Sequence, residues 1–168
     1  MDDASTPAGA DEGTTERHHG DQPGQDRRAL SDRDITALQP LLAGTLVERC
    51  GMEVVSLGPE GGTMTMPVSG NTQPAGLLHG GATIALAETI ASLAAILQAR
   101  AVHGEGAQAV GTNVAATHHR SARSGHVTAT CRVRHAGRQV ASYLVDVHDE
   151  QGMLLSTVSV STMLLPPR

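Results

Sequence analysis

The stretch GLLHGGATIALAETIASLAA, residues 76–95, decides the fold. After its histidine and glycines, the only polar side chains between residues 82 and 97 are Thr83, Glu88, Thr89 and Ser92. A helix that is apolar on nearly all sides is buried in a protein or in a membrane. This run is shorter than the ~20 residues that a bilayer requires, and it contains a carboxylate. We therefore expect a buried central helix over residues 81–98 of a domain that does not enter a membrane.

Glu88 is the residue of this helix that requires an explanation. An isolated carboxylate is costly to bury unless it is paired or protonated. Ser92 follows at position i+4 on the same helix face, and the two side chains can hold one water molecule between them. Glu88 is therefore either a structural carboxylate, satisfied by Ser92 or by a second subunit, or part of a catalytic site.

The start of the helix, His79-Gly80-Gly81, favours the binding of negative charge. The first N–H groups of a helix have no partner within it, the helix dipole attracts anions there, and glycine lets a ligand approach closely. Acyl transfer requires such an oxyanion site. Turn glycines beside a histidine are common, so the motif gains its weight from Glu88 on the same helix and from Gln73 shortly before it.

Length and composition indicate one domain preceded by a tail. The chain has 168 residues and a formal net charge of −5, so we do not expect nucleic acid as a partner. Residues 1–30 are rich in Asp, Gly, Pro and Thr, and we predict a disordered tail there and a folded domain over residues 31–168. The chain has no Phe or Trp and one Tyr, so aliphatic residues, Ala and Met must form the core.

The cysteines and the N-terminus predict a cytoplasmic protein. Cys50 and Cys131 lack a metal-binding spacing, and we interpret them as reduced thiols. The N-terminus has no apolar stretch that resembles a signal peptide. We expect neither a metal nor another cofactor.

The remaining pattern predicts an α+β domain with a mainly antiparallel sheet. Ser31 is typical of a helix N-cap, and apolar residues follow at roughly helical spacing. Strands are predicted over residues 52–57, 63–68, 108–117, 126–134, 139–148 and 154–165, the first two forming a hairpin. Strands that surround one helix without strand–helix–strand repeats favour this class.

Four segments of the sequence resemble hotdog-fold acyl-CoA thioesterases. They are NTQPAGLLHGGATIALAETIASLAA (71–95), VGTNVAATHHRSARSGHV (110–127), RHAGRQ (134–139) and VDVHDEQGMLLSTVSVSTML (145–164). The resemblance is strongest to the group that contains the 1,4-dihydroxy-2-naphthoyl-CoA and enterobactin proofreading thioesterases. The glutamate-dependent 4-hydroxybenzoyl-CoA thioesterases are near relatives. The implied fold is a curved antiparallel sheet wrapped around one long central helix.

The resemblance implies a catalytic role for five residues. Glu88 would attack the thioester or activate water, and Ser92 would position the water or the carboxylate. The Gly80 N–H, helped by Gln73 and His79, would polarise the thioester carbonyl. The family pairs two subunits edge to edge, so that Glu88 comes from one subunit and Gly80 from the other. A homodimer or homotetramer is therefore expected.

The same resemblance assigns a second set of residues to the binding of CoA. Gly81, His118, Arg120 and Arg138 match positions near its pantetheine and nucleotide. Basic residues at strand ends are often exposed and bind no ligand. This is the alternative interpretation for each of His118, Arg120 and Arg138.

Several functions are compatible with this resemblance. The first is hydrolysis of an aromatic acyl-CoA, such as 1,4-dihydroxy-2-naphthoyl-CoA in menaquinone synthesis or a hydroxybenzoyl-CoA. The second is hydrolysis of a thioester on a carrier protein, as in proofreading. The third is a module that binds acyl-CoA without turnover. A core without Phe or Trp provides no aromatic wall for an aromatic acyl group. This observation concerns the identity of the acyl group and not the type of reaction.

Overall fold

The computed structural model describes residues 29–168. Residues 1–28, nearly all of the predicted tail, lie outside the described residues. The last residue of that predicted segment, Leu30, donates its N–H to the carbonyl of Leu57 at 2.8 Å and packs against the core. The chain is therefore already attached to the domain at Leu30.

The described chain forms three helices and six strands. The helices are α1 (Asp32–Leu42), α2 (Leu46–Arg49) and α3 (Gly80–His103). The strands are β1 (Glu53–Gly58), β2 (Gly61–Pro67), β3 (Gln108–His118), β4 (His126–Ala136), β5 (Val140–Asp149) and β6 (Leu154–Leu165). Every predicted strand is present, and Ser31 caps α1 as predicted, accepting a hydrogen bond from the N–H of Asp34.

The six strands form one antiparallel sheet in the order β1-β2-β4-β5-β6-β3. Six strands spaced ~4.8 Å apart span about 24 Å, which is wider than a helix of about 10 Å. Helix α3 nevertheless contacts all six strands. The sheet must therefore curve around the helix, and it leaves β1 and β3 as its two edges.

Helix α3 is longer and less completely buried than the sequence predicts. It continues past residue 98 to His103, where Gly104, at a φ of 89°, ends it. One face is buried, and it consists mostly of alanine: Thr83, Leu86, Ala87, Ile90, Ala91, Ala94, Ala95, Gln98 and Ala99. The opposite face, which includes Ala85, Thr89, Ser92 and Ile96, is half-buried. The expectation of burial on all sides is therefore wrong for a single chain.

By length and composition, α3 is also the one helix of residues 29–168 that could cross a membrane. It has 24 residues, and its most apolar 18-residue window has a mean hydropathy of 1.6. A core helix meets the same criterion. Because α3 lies against every strand of the sheet, we interpret it as the core helix.

The core is aliphatic, as the composition predicts, except around Tyr143. Leu, Ile, Val, Met and Ala side chains make up almost all of the buried apolar residues. Tyr143, on β5, is 1% exposed, and its hydroxyl donates to the carbonyl of Pro59 in the β1–β2 turn at 3.2 Å.

Cys131, on β4, is also part of the core. Burial raises the pKa of its thiol to about 12, so that this thiol stays protonated at neutral pH.

Replacing Tyr143 with Phe should destabilise the domain. The substitution keeps the ring but leaves the Pro59 carbonyl without the hydroxyl that donates to it. The free energy of unfolding should fall by about 1 kcal/mol. Urea unfolding followed by far-UV circular dichroism measures the change. Ser142→Ala, on the opposite face of the same strand, is the control, and equal losses in the two variants would argue against a specific role for this hydrogen bond.

Candidate active site

The first turn of α3 leaves one backbone amide free. His79 is the N-cap, and its Nδ1 accepts the N–H of Gly81 at 2.8 Å. The carbonyl of His79 accepts the N–H groups of Ala82 and Thr83 at 3.0 and 3.1 Å. Within residues 29–168, only Gly80 among these first helical residues has an N–H without a partner. That N–H is available to a ligand.

The cap changes what His79 itself can do. In a neutral imidazole one nitrogen accepts and the other carries the hydrogen. Because Nδ1 accepts from Gly81, Nε2 of the neutral ring is the only donor that His79 can offer to a substrate. The amide of Gly81, one of the residues predicted near CoA, is occupied by the same bond.

The imidazole of His118, at the end of β3, lies over Gly80. A Cβ atom added at Gly80 would stand 2.8 Å from its Nε2, closer than real contacts of this kind. Its Nδ1 lies 2.8 Å from the hydroxyl oxygen of Ser156 on β6, the residue paired with His118 in the sheet. Glycine is therefore required at position 80 for close approach as well as for access to its amide.

The loop before α3 positions Gln73. The side-chain amide of Asn71 donates to the carbonyls of Cys50 at 2.8 Å and Pro67 at 2.9 Å, which holds the loop against the sheet. The N–H of Gln73 donates to the carbonyl of Leu77 at 2.8 Å and closes a short turn. The side chain of Gln73 is half-buried beside the start of the helix.

These elements enclose a cleft of about 410 Å³. Gln73, Gly80, His118 and Arg120 all line it, so the structure brings four of the predicted site residues together. Arg120 also donates through its guanidinium to the carbonyl of Leu154 at 3.2 Å. No acidic residue of the described segment 29–168 lines the cleft, and the positive end of the helix dipole points into it. An anionic or strongly polarised ligand group is therefore favoured there.

Glu88 does not line this cleft. It lies eight residues after Gly80 on α3, about 12 Å further along the helix axis. Its Oε1 is 3.0 Å from where a Cβ atom on Gly111 of β3 would stand, so the absent side chain of Gly111 makes room for the carboxylate. Glu88 and Ser92 are both half-buried on this face. The sequence predicts a buried carboxylate, whereas within one chain Glu88 is only half-buried.

Arg138 also lies apart from the cleft. It belongs to the β4–β5 turn, two residues before Val140, which pairs with Met163 of β6. His118 pairs with Ser156, seven residues earlier on the same strand. This spacing corresponds to about 23 Å along the sheet. One chain therefore does not bring Arg138 together with His118.

Ser156 and Thr83 also line the cleft, and the sequence analysis assigned neither of them a role in the site. Ser156 is 2% exposed and touches His118 only because β3 and β6 are neighbours in this register, which no local motif reveals. In the described part of the chain, no group of three or more His, Cys, Asp or Glu side chains is arranged to hold a metal ion.

Comparison with known proteins identifies the family. Residues 75–156 match the model of the thioesterase superfamily. The chain is 42% identical to the proofreading thioesterase EntH of Cronobacter turicensis over 132 residues, which cover 78% of this chain and 93% of that protein. The EntH of Cronobacter sakazakii matches with the same identity and coverage.

Solved structures give the same result. A thioesterase from Haemophilus influenzae is 33% identical, with a TM-score of 0.71, and the match covers 79% of this chain and 90% of that one. A thioesterase mutant from Pseudomonas aeruginosa is 31% identical, with a TM-score of 0.74 and coverage of 81% and 96%. The predicted resemblance and the hotdog fold are thereby confirmed. This chain belongs to the thioesterase superfamily and is a hotdog-fold thioester hydrolase.

Proposed function

We propose that this thioesterase hydrolyses acyl-CoA substrates with an aromatic acyl group, such as 1,4-dihydroxy-2-naphthoyl or hydroxybenzoyl, and uses Glu88 as base or nucleophile. The observation that carries the proposal is the unpaired amide of Gly80 at the start of α3, in a cleft lined by His118 and Arg120. A donor at this position stabilises the oxygen on which negative charge develops when a thioester carbonyl is attacked. The basic side chains suit the phosphates of CoA.

The reaction follows from these positions. The thioester carbonyl accepts the Gly80 N–H, and Glu88 either removes a proton from an attacking water or attacks the carbonyl carbon itself. The tetrahedral intermediate then collapses, the carbon–sulfur bond breaks, and the CoA thiolate leaves and takes up a proton. With Glu88 as nucleophile, water hydrolyses the acyl anhydride in a second step. Both routes release a carboxylic acid and free CoA.

The site requires two chains in this proposal, because Glu88 and Gly80 lie about 12 Å apart on one helix. Strand β3 supplies the means of pairing. It is eleven residues long, it forms an edge of the sheet, and none of its residues is buried. A long exposed edge strand offers unpaired N–H and carbonyl groups to another strand. A second copy of the chain satisfies them by antiparallel pairing of β3 with β3 about a two-fold axis.

Such pairing would bring the partner's Glu88 toward the cleft of this chain. An axis at Asn113, the middle of β3, sets Gly111 of one chain opposite Ala115 of the other and Gln108 opposite His118. The partner's Glu88, which lies over its Gly111, then stands about three residues, or ~10 Å along the strand, from His118 of this chain. The partner's Arg138 turn reaches the same end of the sheet. A homodimer, or a tetramer built from two of them, is thus part of the proposal.

A second candidate substrate is an acyl group on a carrier protein. The observation that favours it is the 42% identity to proteins named as proofreading thioesterases. A carrier protein presents the same pantetheine thioester without the nucleotide of CoA. The two candidates therefore share the chemistry at Gly80 and Glu88, and they differ in what binds outside the cleft.

A panel of thioesters tests the substrate class. Release of free thiol should be measured with benzoyl-, 4-hydroxybenzoyl-, 1,4-dihydroxy-2-naphthoyl- and medium-chain fatty acyl-CoA, and with an aromatic acyl group on a carrier protein. We expect kcat/KM to be about tenfold or more higher for the aromatic acyl-CoAs than for the fatty ones. A preference for fatty acyl groups would refute the aromatic class, and turnover of the carrier-bound thioester alone would establish the second candidate.

Glu88→Gln tests the catalytic carboxylate. The substitution keeps the shape and the hydrogen-bonding capacity but removes the charge, so kcat should fall by about 100-fold or more while acyl-CoA binding survives. Ser92→Ala should have a smaller effect because Ser92 carries no charge. Glu53→Gln, at an exposed position on β1, is the matched control. Wild-type turnover by Glu88→Gln on a substrate that both proteins bind would eliminate this mechanism.

Mixing two inactive variants tests the shared site. Gly80→Pro removes the amide hydrogen while fitting the first turn of a helix. Gly80→Ala is its control: it adds the same Cβ but keeps the N–H, so the difference in activity between the two variants measures the loss of the N–H. Glu88→Gln and Gly80→Pro chains, unfolded and refolded together, should regain about a quarter of wild-type activity, because half of the dimers are mixed and each has one intact site. If each site belonged to a single chain, mixing would restore nothing.

A further inference from the structure

Ser156 is a buried hydroxyl in the wall of the cleft that the proposed mechanism leaves unused. It is 2% exposed, and its Oγ lies 2.8 Å from Nδ1 of His118. Within residues 29–168 this is the one hydrogen bond of the Ser156 side chain. A buried hydroxyl has a hydrogen to donate, and leaving it without an acceptor is unfavourable. Its only protein acceptor here is the imidazole nitrogen.

This contact decides which nitrogen of the His118 ring carries the hydrogen. If Nδ1–H donated to Ser156, the hydroxyl hydrogen would remain buried without an acceptor. If the hydroxyl donates to Nδ1, both groups are satisfied, and the hydrogen of the neutral ring must be on Nε2. The second arrangement is therefore favoured, and it makes Nε2 a donor.

The Nε2 atom is directed at the region where the thioester is expected. It lies over Gly80, 2.8 Å from the position of a Cβ there, and both residues line the same cleft. A carbonyl oxygen has two lone pairs and can accept two hydrogen bonds. Gly80 supplies one free N–H, and the ring of His118, at the end of β3, supplies another.

We propose that Ser156 is a positioning residue that holds His118 as its Nε2–H tautomer, and that this N–H is a second donor to the thioester carbonyl at Gly80. The donor role of His118 rests on the proposed function, whereas the Ser156–His118 contact is independent of any substrate. The family resemblance places His118 near the pantetheine and nucleotide of CoA. The proposal gives His118 a further role, which is to stabilise the negative charge on the thioester oxygen. It also explains why a polar residue is buried at position 156.

Nitrogen-15 NMR of the full-length protein without substrate tests the tautomer. At a pH where the His118 ring is neutral, Nε2 should be protonated and Nδ1 unprotonated, with signals assigned by their loss in His118→Gln. Ser156→Ala should shift His118 toward a mixture of tautomers, whereas Ser159→Ala, exposed on the same strand, should not. An Nδ1–H ring in the wild type, or an unchanged ring in Ser156→Ala, would overturn the proposal.

Kinetics then test the donor role. Removing one oxyanion donor lowers kcat by about 10²–10³, so His118→Asn should show this loss with little change in KM. His118→Gln should retain more activity, because its amide nitrogen reaches the position of Nε2. Ser156→Ala should lower kcat by about tenfold, less than loss of the ring itself, because the correct tautomer remains partly populated. Ser156→Thr, which keeps the hydroxyl, should recover kcat, with thermal melting to check that each variant folds.

The outcomes separate this proposal from the proposed function. A higher KM with unchanged kcat in His118→Asn would overturn the donor role and leave His118 as a residue for ground-state binding. A wild-type protein that turns over no aromatic thioester but shows the Nε2–H ring would refute the proposed substrate class. The same kinetic comparison on whichever thioester it hydrolyses would then decide the donor role.

Discussion

The close packing of α3 against the sheet is the constraint on which the rest of the structure depends. Most of the buried face of the helix is alanine, so the helix axis can approach the strands more closely than a face of large residues would allow. The same packing sets the distance between Gly80, at the start of α3, and the end of β3. A shift of the helix away from the sheet would separate Gly80 from the ring of His118, so the geometry of the cleft depends on small side chains two to four turns away.

The two edges of the sheet differ in how far they are covered. At β1 the segment that begins at Leu30 adds a hydrogen bond to the edge, and α1 packs beside it. At β3 all eleven residues are at least partly exposed, and the face of α3 that bears Glu88 is half-buried. The exposed edge strand and the half-buried carboxylate of Glu88 are adjacent at Gly111. Assembly through this edge would address both features, because the same partner would cover the helix face and extend the sheet.

The fold could be predicted largely from the sequence because its signals are local. Periodic apolar residues and turn residues located the strands, and the glycines after His79 located the start of α3. The HGG motif predicted unpaired N–H groups at the start of α3, since these follow from helix geometry alone, and the family resemblance assigned the role to the N–H of Gly80. The family resemblance, carried by the segment around residues 71–95, was confirmed by the comparisons with known thioesterases.

The features that could not be predicted depend on contacts between distant parts of the chain. The pairing of Ser156 with His118 requires the order of β6 and β3 in the sheet, which the sequence does not specify. The partial exposure of Glu88 depends on β3 being an edge, and the distance of Arg138 from His118 depends on the register of β5 with β6. Residue roles assigned by resemblance assumed a complete assembly, whereas one chain contains only part of that arrangement.

The isolation of Tyr143 gives the protein an unusual optical property. The chain has no Trp and no other Tyr, so its near-ultraviolet absorbance and its intrinsic emission come from this one side chain. Because Tyr143 is buried at the centre of the sheet and bonded to the β1–β2 turn, that signal reports on a single location in the core. The rest of the near-ultraviolet spectrum is almost empty. A conjugated aromatic ligand in the cleft would therefore absorb and emit against a low protein background.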